Sequence, residues 1–176
     1  MPGYAAPPPP PKKSNTAVIV FIVLGVVFIV GVAVVAILAS VLSPVTGRAH
    51  SSAQAATCES NVKQISLGLI EYTQDSDEVF PPSAAAYKDV LAPYVKDEAV
   101  YHCPADEGEG VTYSLNANLQ GVSLEKLAHP EAVVAVYEGK DQKLDFRHDG
   151  KAVVGFADGR VKTVTEDEAA GLQWKP

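Results

Sequence analysis

Charge is absent from a long early stretch of this chain: no Asp, Glu, Lys or Arg lies between Ser14 and Gly47, and no acidic residue precedes Glu59. Cysteine is scarce as well, with two in 176 residues, Cys58 and Cys103. Several chemical signatures are missing altogether. There is no Gly-x-Ser-x-Gly nucleophile turn, no Walker phosphate loop and no His-Glu-x-x-His zinc helix. His102-Cys103 has no second Cys/His pair at zinc spacing. No internal repeat is present. These absences turn attention from familiar enzyme classes to the way the chain is divided.

The uncharged stretch predicts a transmembrane helix over residues 17–42. Ala17 to Leu42 is almost wholly Val, Ile, Leu, Phe, Ala and Gly. At ~1.5 Å per residue it reaches about 39 Å, enough to cross a hydrocarbon core of about 30 Å with some tilt. It shows no polar face, unlike the surface helix of a globular domain. A cleaved signal peptide would have a shorter apolar stretch, followed closely by small residues. Here Ala53-Gln54-Ala55 comes well after Leu42, so an uncleaved anchor is expected. Lys12 and Lys13 precede the span and Arg48 follows it. The positive-inside rule then puts the N-terminus in the cytoplasm.

The flanks differ sharply. Residues 1–16 form a proline-rich tail with an unbroken run from Pro7 to Pro11, which favours a short polyproline II rod. It reads as a solvated spacer, with docking to an aromatic groove as the alternative. All 21 Asp and Glu lie at or beyond Glu59, whereas three of the 14 Lys and Arg (Lys12, Lys13, Arg48) come earlier. A C-terminal part this acidic has no electrostatic case for nucleic acid. Both cysteines fall in that part, outside the cytoplasm, where two thiols usually pair. A Cys58–Cys103 disulfide is therefore expected.

Periodicity supplies the rest. Pro44 and Gly47 suggest a kinked linker over 43–51. From Ser52 to Asp75 the residues Ala55, Cys58, Val62, Ile65, Leu69 and Tyr72 recur at helical spacing and make one apolar stripe. Pro81-Pro82 ends that pattern, and Ser83 suits the cap of a short helix over 84–94. Strands are predicted at 111–115, 132–137, 143–147, 151–157 and 160–164. Asp149-Gly150 and Asp158-Gly159 read as hairpin turns, and Thr165 with Glu168 as a capping box. A long helix followed by an antiparallel meander defines an α+β extracytoplasmic domain over residues 52–176.

Three patterns invite a chemical reading. Ser60-Asn61-Val62-Lys63 matches Ser-x-x-Lys, but its supporting elements are absent. Asp75 and Asp77 begin like a calcium loop, yet Val79 and Phe80 stand where ligands or glycine belong. The third is Arg147-His148-Asp149-Gly150 followed by Asp158-Gly159. His148, Asp149 and Asp158 would make a metal or acid–base site in one reading. In the other, His148, Asp158 and Gly159 are structural, and glycine provides the positive φ of each turn. The second is expected, so no catalytic, cofactor-binding or metal residue is assigned.

Together these residues resemble a known family. Thr57-Cys58-Glu59-Ser60-Asn61-Val62-Lys63-Gln64-Ile65 through Tyr72, with Asp75, Asp77 and Phe80-Pro81-Pro82, looks like the start of a prepilin-type ectodomain. Tyr101-His102-Cys103-Pro104, Tyr113-Ser114-Leu115-Asn116 and the stretch from His148 to Gly159 follow in order. The last is the H-x(9)-D-G signature of prepilin-like proteins. The resemblance covers residues 57–164 and implies kinship with type IV pilins and type II secretion pseudopilins. It implies a long helix half in the membrane and half on an antiparallel sheet.

The resemblance implies a membrane-anchored structural or assembly protein of the cell envelope. It would be no enzyme and would need no cofactor. Its location would be the bacterial inner (cytoplasmic) membrane, with the domain on the periplasmic side. Its partners would be the membrane and other envelope or pilin-like proteins, with no nucleic acid and no small-molecule substrate. The alternative is an anchored enzyme or metal-dependent binding domain using the His148 region. The chain departs from prepilins at the other end. Ser14-Asn15-Thr16-Ala17 stands where a peptidase site would be, and no glutamate follows it in the span. That predicts an uncut chain that does not build a standard pilus.

Overall fold

The computed structural model describes residues 15–108 and 110–176, so most of the proline-rich tail lies outside the described residues. The elements are α1 (Thr16–Asp75), α2 (Tyr87–Leu91), β1 (Tyr113–Leu115), β2 (Val134–Lys140), β3 (Lys143–Leu144), β4 (Lys151–Phe156), β5 (Val161–Thr165) and α3 (Glu166–Ala169). Single 3₁₀ turns occur at Glu98–Tyr101, Ala117–Leu119 and Leu124–Lys126. The chain is α+β, with an apolar N-terminal helix and an antiparallel sheet. It forms two compact units, residues 1–46 and 47–176.

Among the described residues, the first unit holds the early turns of α1. Val18–Ser40 has a mean hydropathy of 3.4 and is long and apolar enough to cross a membrane. No residue in its most apolar window is buried by protein. Phe21 and Phe28 are 74% and 72% exposed. Leaving so many large apolar side chains in water would be costly, and a lipid environment removes that cost. The expected interruption at Pro44 and Gly47 does not occur, because helical backbone continues to Asp75. A proline within a helix removes one N–H donor. One missing bond does not end a helix of 60 residues.

In the second unit, the later turns of α1 cover one face of the sheet. Cys58, Val62, Ile65 and Leu69 are almost fully buried, as their spacing predicts. Burying each aliphatic side chain contributes roughly 1.5–3 kcal/mol. They pack with Phe80, Leu91, Tyr113, Val136 and Val153 in the main core. The sheet order is β1-β2-β4-β5, all antiparallel, and β3 pairs only with β2. β2 is buried from Val134 through Gly139, the pattern of a strand covered on both faces. The second cover is the C-terminal segment. Leu172 and Trp174 pack on Val134, Tyr137, Val154 and Val164, and the Tyr137 and Trp174 rings meet edge to face at 5.0 Å. Asn116 and Asn118 donate to the Trp174 carbonyl at 2.8 and 3.0 Å.

Several local expectations need correction. The short helix is Tyr87–Leu91, and its N-cap is Ala86 with no side-chain hydrogen bond, so Ser83 does not cap it. The strand expected over 143–147 is only Lys143–Leu144. Beyond it, Asp145 N–H donates to the Glu138 carbonyl and Arg147 N–H to the Asp145 carbonyl, which turns the chain away. A tight turn at Asp141-Gln142, both with positive φ, joins β2 to β3. The Asp158-Gly159 turn joins β4 to β5 as expected, and the Thr165–Glu168 capping box is present.

Two predictions follow from this packing. Gly139 has φ of +133°, and a Cβ there would run into the Lys143 carbonyl. Gly139→Ala is expected to cost about 1–3 kcal/mol, measured by thermal unfolding of the detergent-solubilised chain. The Glu168 carboxyl is held down at about 2 by Lys162 and the Thr165 backbone N–H. Because that value lies below the ordinary 4.5, its stabilising effect is fully present above pH 4.5. It is lost as the pH falls towards 2. Glu168→Gln should therefore make the melting temperature fall less steeply across that interval.

Candidate functional site

The polar centre of the domain lies between α1 and the sheet and draws on four segments. α1 brings Cys58, and the stretch after the Glu98–Tyr101 turn brings Cys103. The two form a disulfide with a Cα–Cα distance of 5.2 Å. β2 brings Glu138, and the turn before β4 brings His148. Asp149-Gly150, with φ of +52° and +76°, makes a two-residue turn that His148 and Lys151 close with reciprocal backbone hydrogen bonds. This pins the His148 ring inward.

The contacts are short. His148 Nε2–H donates to Glu138 Oε1 at 3.1 Å, and Cys103 Sγ lies 3.5 Å from the same nitrogen. Glu138 Oε2 accepts from the Val153 N–H at 3.2 Å. The Glu138 side chain is wholly buried and that of His148 is 2% exposed. Burial raises the Glu138 carboxyl above its ordinary value, against the pull of His148, the Val153 N–H and Arg147. Burial acts the same way on Asp106. There the Gly108 N–H, the Thr112 hydroxyl and Arg147 outweigh it and hold the carboxyl below its ordinary value. Arg147 Nη1 lies 3.5 Å from Asp106 and 3.7 Å from Glu138, and Nη2 pairs with Asp145 at 2.8 Å. Two buried nitrogens, His148 Nδ1 and Arg147 Nη1, lack a hydrogen-bond partner among the described residues.

Other residues singled out in the sequence separate from this centre. Asp158 does not join His148; its carboxylate accepts from Arg160 N–H at 3.0 Å within its own hairpin. Gly159 serves the turn, and its carbonyl accepts from Lys63 Nζ at 2.8 Å. Lys63 is therefore a tether between α1 and the β4–β5 turn, while Ser60 is exposed. Asn61 and Gln54 add similar ties to the His102 and Pro104 carbonyls, both at 2.9 Å. Asp149 is exposed and accepts from the Ser51 hydroxyl at 3.3 Å. Asp75 and Asp77 belong to the turn ending α1, where Glu78 N–H donates to the Thr73 carbonyl.

Sequence reasoning missed Glu138 and gave Arg147 no role. One signal was available: a single acid directly after the apolar run Val133-Val134-Ala135-Val136-Tyr137. Reading it required knowing that β2 is the strand beneath both the disulfide and His148. Comparison of the chain with family models, curated proteins and solved structures gives no match.

Removing His148 leaves the buried Glu138 carboxylate without its hydrogen-bond donor. His148→Ala is expected to destabilise the domain by about 3–5 kcal/mol in urea unfolding. Replacing both Glu138 and His148 by Leu should restore part of that loss, because no buried charge is then left alone.

Proposed function

We propose that this chain is a membrane-anchored structural or assembly protein of pilin-like build, acting through protein–protein contacts on the outer side of a bacterial cytoplasmic membrane. One observation carries the reading. A single helix, Thr16–Asp75, is uncovered and apolar in its early turns and packs on the sheet in its later ones. That division suits an element that both anchors and supports a domain. Lys12 and Lys13 before the span, against Arg48 after it, favour a cytoplasmic N-terminus. The disulfide agrees with an oxidising compartment on the far side.

The roles of the singled-out residues support a contact function. Lys63, Asn61, Asp158 and Gly159 are engaged in holding α1 and the hairpins together, so no reaction is assigned to them. The domain would present its acidic surface to other envelope or pilin-like proteins. The span lacks the glutamate with which pilins pair to a neighbour, so lateral packing within the bilayer would rest on weak van der Waals contacts.

Membrane fractionation with carbonate washing, followed by protease treatment of spheroplasts, tests the topology. The chain should stay with the membrane, and the domain from Gly47 onward should be cleaved from outside. Intact mass of the native protein should retain the proline-rich tail. Release by carbonate would overturn the anchored reading, and a mass lacking that tail would overturn the expectation of an uncut chain.

A further inference from the structure

We infer that the disulfide masks a metal site: once Cys58 and Cys103 are reduced, their thiolates, His148 Nε2 and Glu138 Oε1 bind one zinc ion. The inference does not rest on the pilin-like reading and adds a ligand to a centre so far described as structural. One ligand atom from each of the four buried residues lies within 4.8 Å of all the others. Four inward-facing ligands of the Cys₂-His-carboxylate type suit zinc, which takes S, N and O donors in a closed tetrahedron.

The distances fit that geometry before any movement. A tetrahedral zinc with nitrogen at about 2.0 Å and sulfur at about 2.3 Å holds those two atoms about 3.5 Å apart, and nitrogen and oxygen about 3.3 Å apart. Here Cys103 Sγ and His148 Nε2 are 3.5 Å apart, and Nε2 and Glu138 Oε1 are 3.1 Å apart. The Val153 N–H occupies Oε2 and so leaves Oε1 facing the cluster. The Cys58 and Cys103 Cα atoms are 5.2 Å apart. Side-chain rotation then suffices to part the sulfurs to the roughly 3.8 Å that a tetrahedral zinc requires.

Proton and charge balance also fit. A dithiol reductant supplies two electrons and two protons; it closes to its own disulfide as the Cys58–Cys103 bond breaks into two thiols. Zinc displaces both thiol protons, and the imidazole proton moves from Nε2 to Nδ1. Nδ1 has no partner among the described residues in the disulfide form, so this shift gives up no hydrogen bond there. Two thiolates and a carboxylate exceed the charge of Zn²⁺ by one. That surplus is the Glu138 charge already present in the disulfide form, where the Arg147 guanidinium lies 3.7 Å from Oε1. The site is unavailable while the sulfurs are joined, because a disulfide offers no thiolate.

The test uses the full-length chain in detergent, with ZnCl₂ and CoCl₂ as probes. One sample is kept oxidised. A second is reduced anaerobically with a phosphine in moderate urea, returned to buffer with metal, and desalted. One zinc per chain is expected in the reduced sample and none in the oxidised sample, by mass spectrometry of metal content. Cobalt in the reduced wild-type chain should give thiolate charge-transfer bands and the strong visible absorption of a tetrahedral ion. This readout needs no variant. Glu138→Gln and His148→Gln should each weaken zinc binding by at least about tenfold. No zinc in the reduced chain would overturn the proposal. So would equal zinc in the oxidised chain, an octahedral cobalt spectrum, or unchanged affinity in both variants.

Discussion

The packing of the later turns of α1 on the centre of the sheet is the constraint on which the rest of this domain depends. β2 and β4 are buried on both faces, so each face needs its own cover. Cys58, Val62, Ile65 and Leu69 provide one, and the C-terminal segment through Trp174 provides the other. The helix cannot slide along the sheet without breaking several specific ties. The Cys58–Cys103 bond, the Lys63 contact with the Gly159 carbonyl and the Asn61 contact with the His102 carbonyl all fix one register. Close approach is part of the same fit: any side chain at Gly155 of β4 would meet Ser66 and Val62 on α1.

That close fit explains how a carboxylate comes to be buried at the centre of a small domain. An isolated buried charge is expensive, and a buried pair is tolerated only with good geometry and further hydrogen bonds. Glu138 meets those terms through His148 on one oxygen, the Val153 N–H on the other and Arg147 at the edge. Arg147 is in turn balanced by Asp106 and Asp145. The disulfide lies against this group, so changes in sulfur chemistry and in buried charge are felt by the same atoms. A structural staple and a latent ligand set thus share one place.

Much of this architecture is legible in the residues because it rests on short-range rules. The helical stripe ends at Asp75 as the periodicity requires. The Asp158-Gly159 hairpin and the Thr165–Glu168 capping box also form where local chemistry places them. Local rules mislead where tertiary pairing competes. The segment after Leu144 has the composition of a strand, yet Arg147 N–H turns back to the Asp145 carbonyl while the Arg147 side chain faces Asp106 and Glu138, and the pairing stops. Likewise the helix outlasts Pro44 and Gly47, because one lost hydrogen bond is small beside the continuity of a long helix.

By itself, then, the sequence determined the elements and the division of the chain. An uncharged apolar stretch, a 3.6-residue stripe and Asp-Gly turns are each written in neighbouring residues, where sterics and hydrophobicity act over a few positions. The tertiary structure alone decided which distant groups share the core. Cys58, Cys103, Glu138 and His148 are spread across 91 positions of the chain and meet only because β2 runs beneath α1. Sequence spacing carries no information about that meeting. It arises from strand order and helix register, which the whole core sets at once.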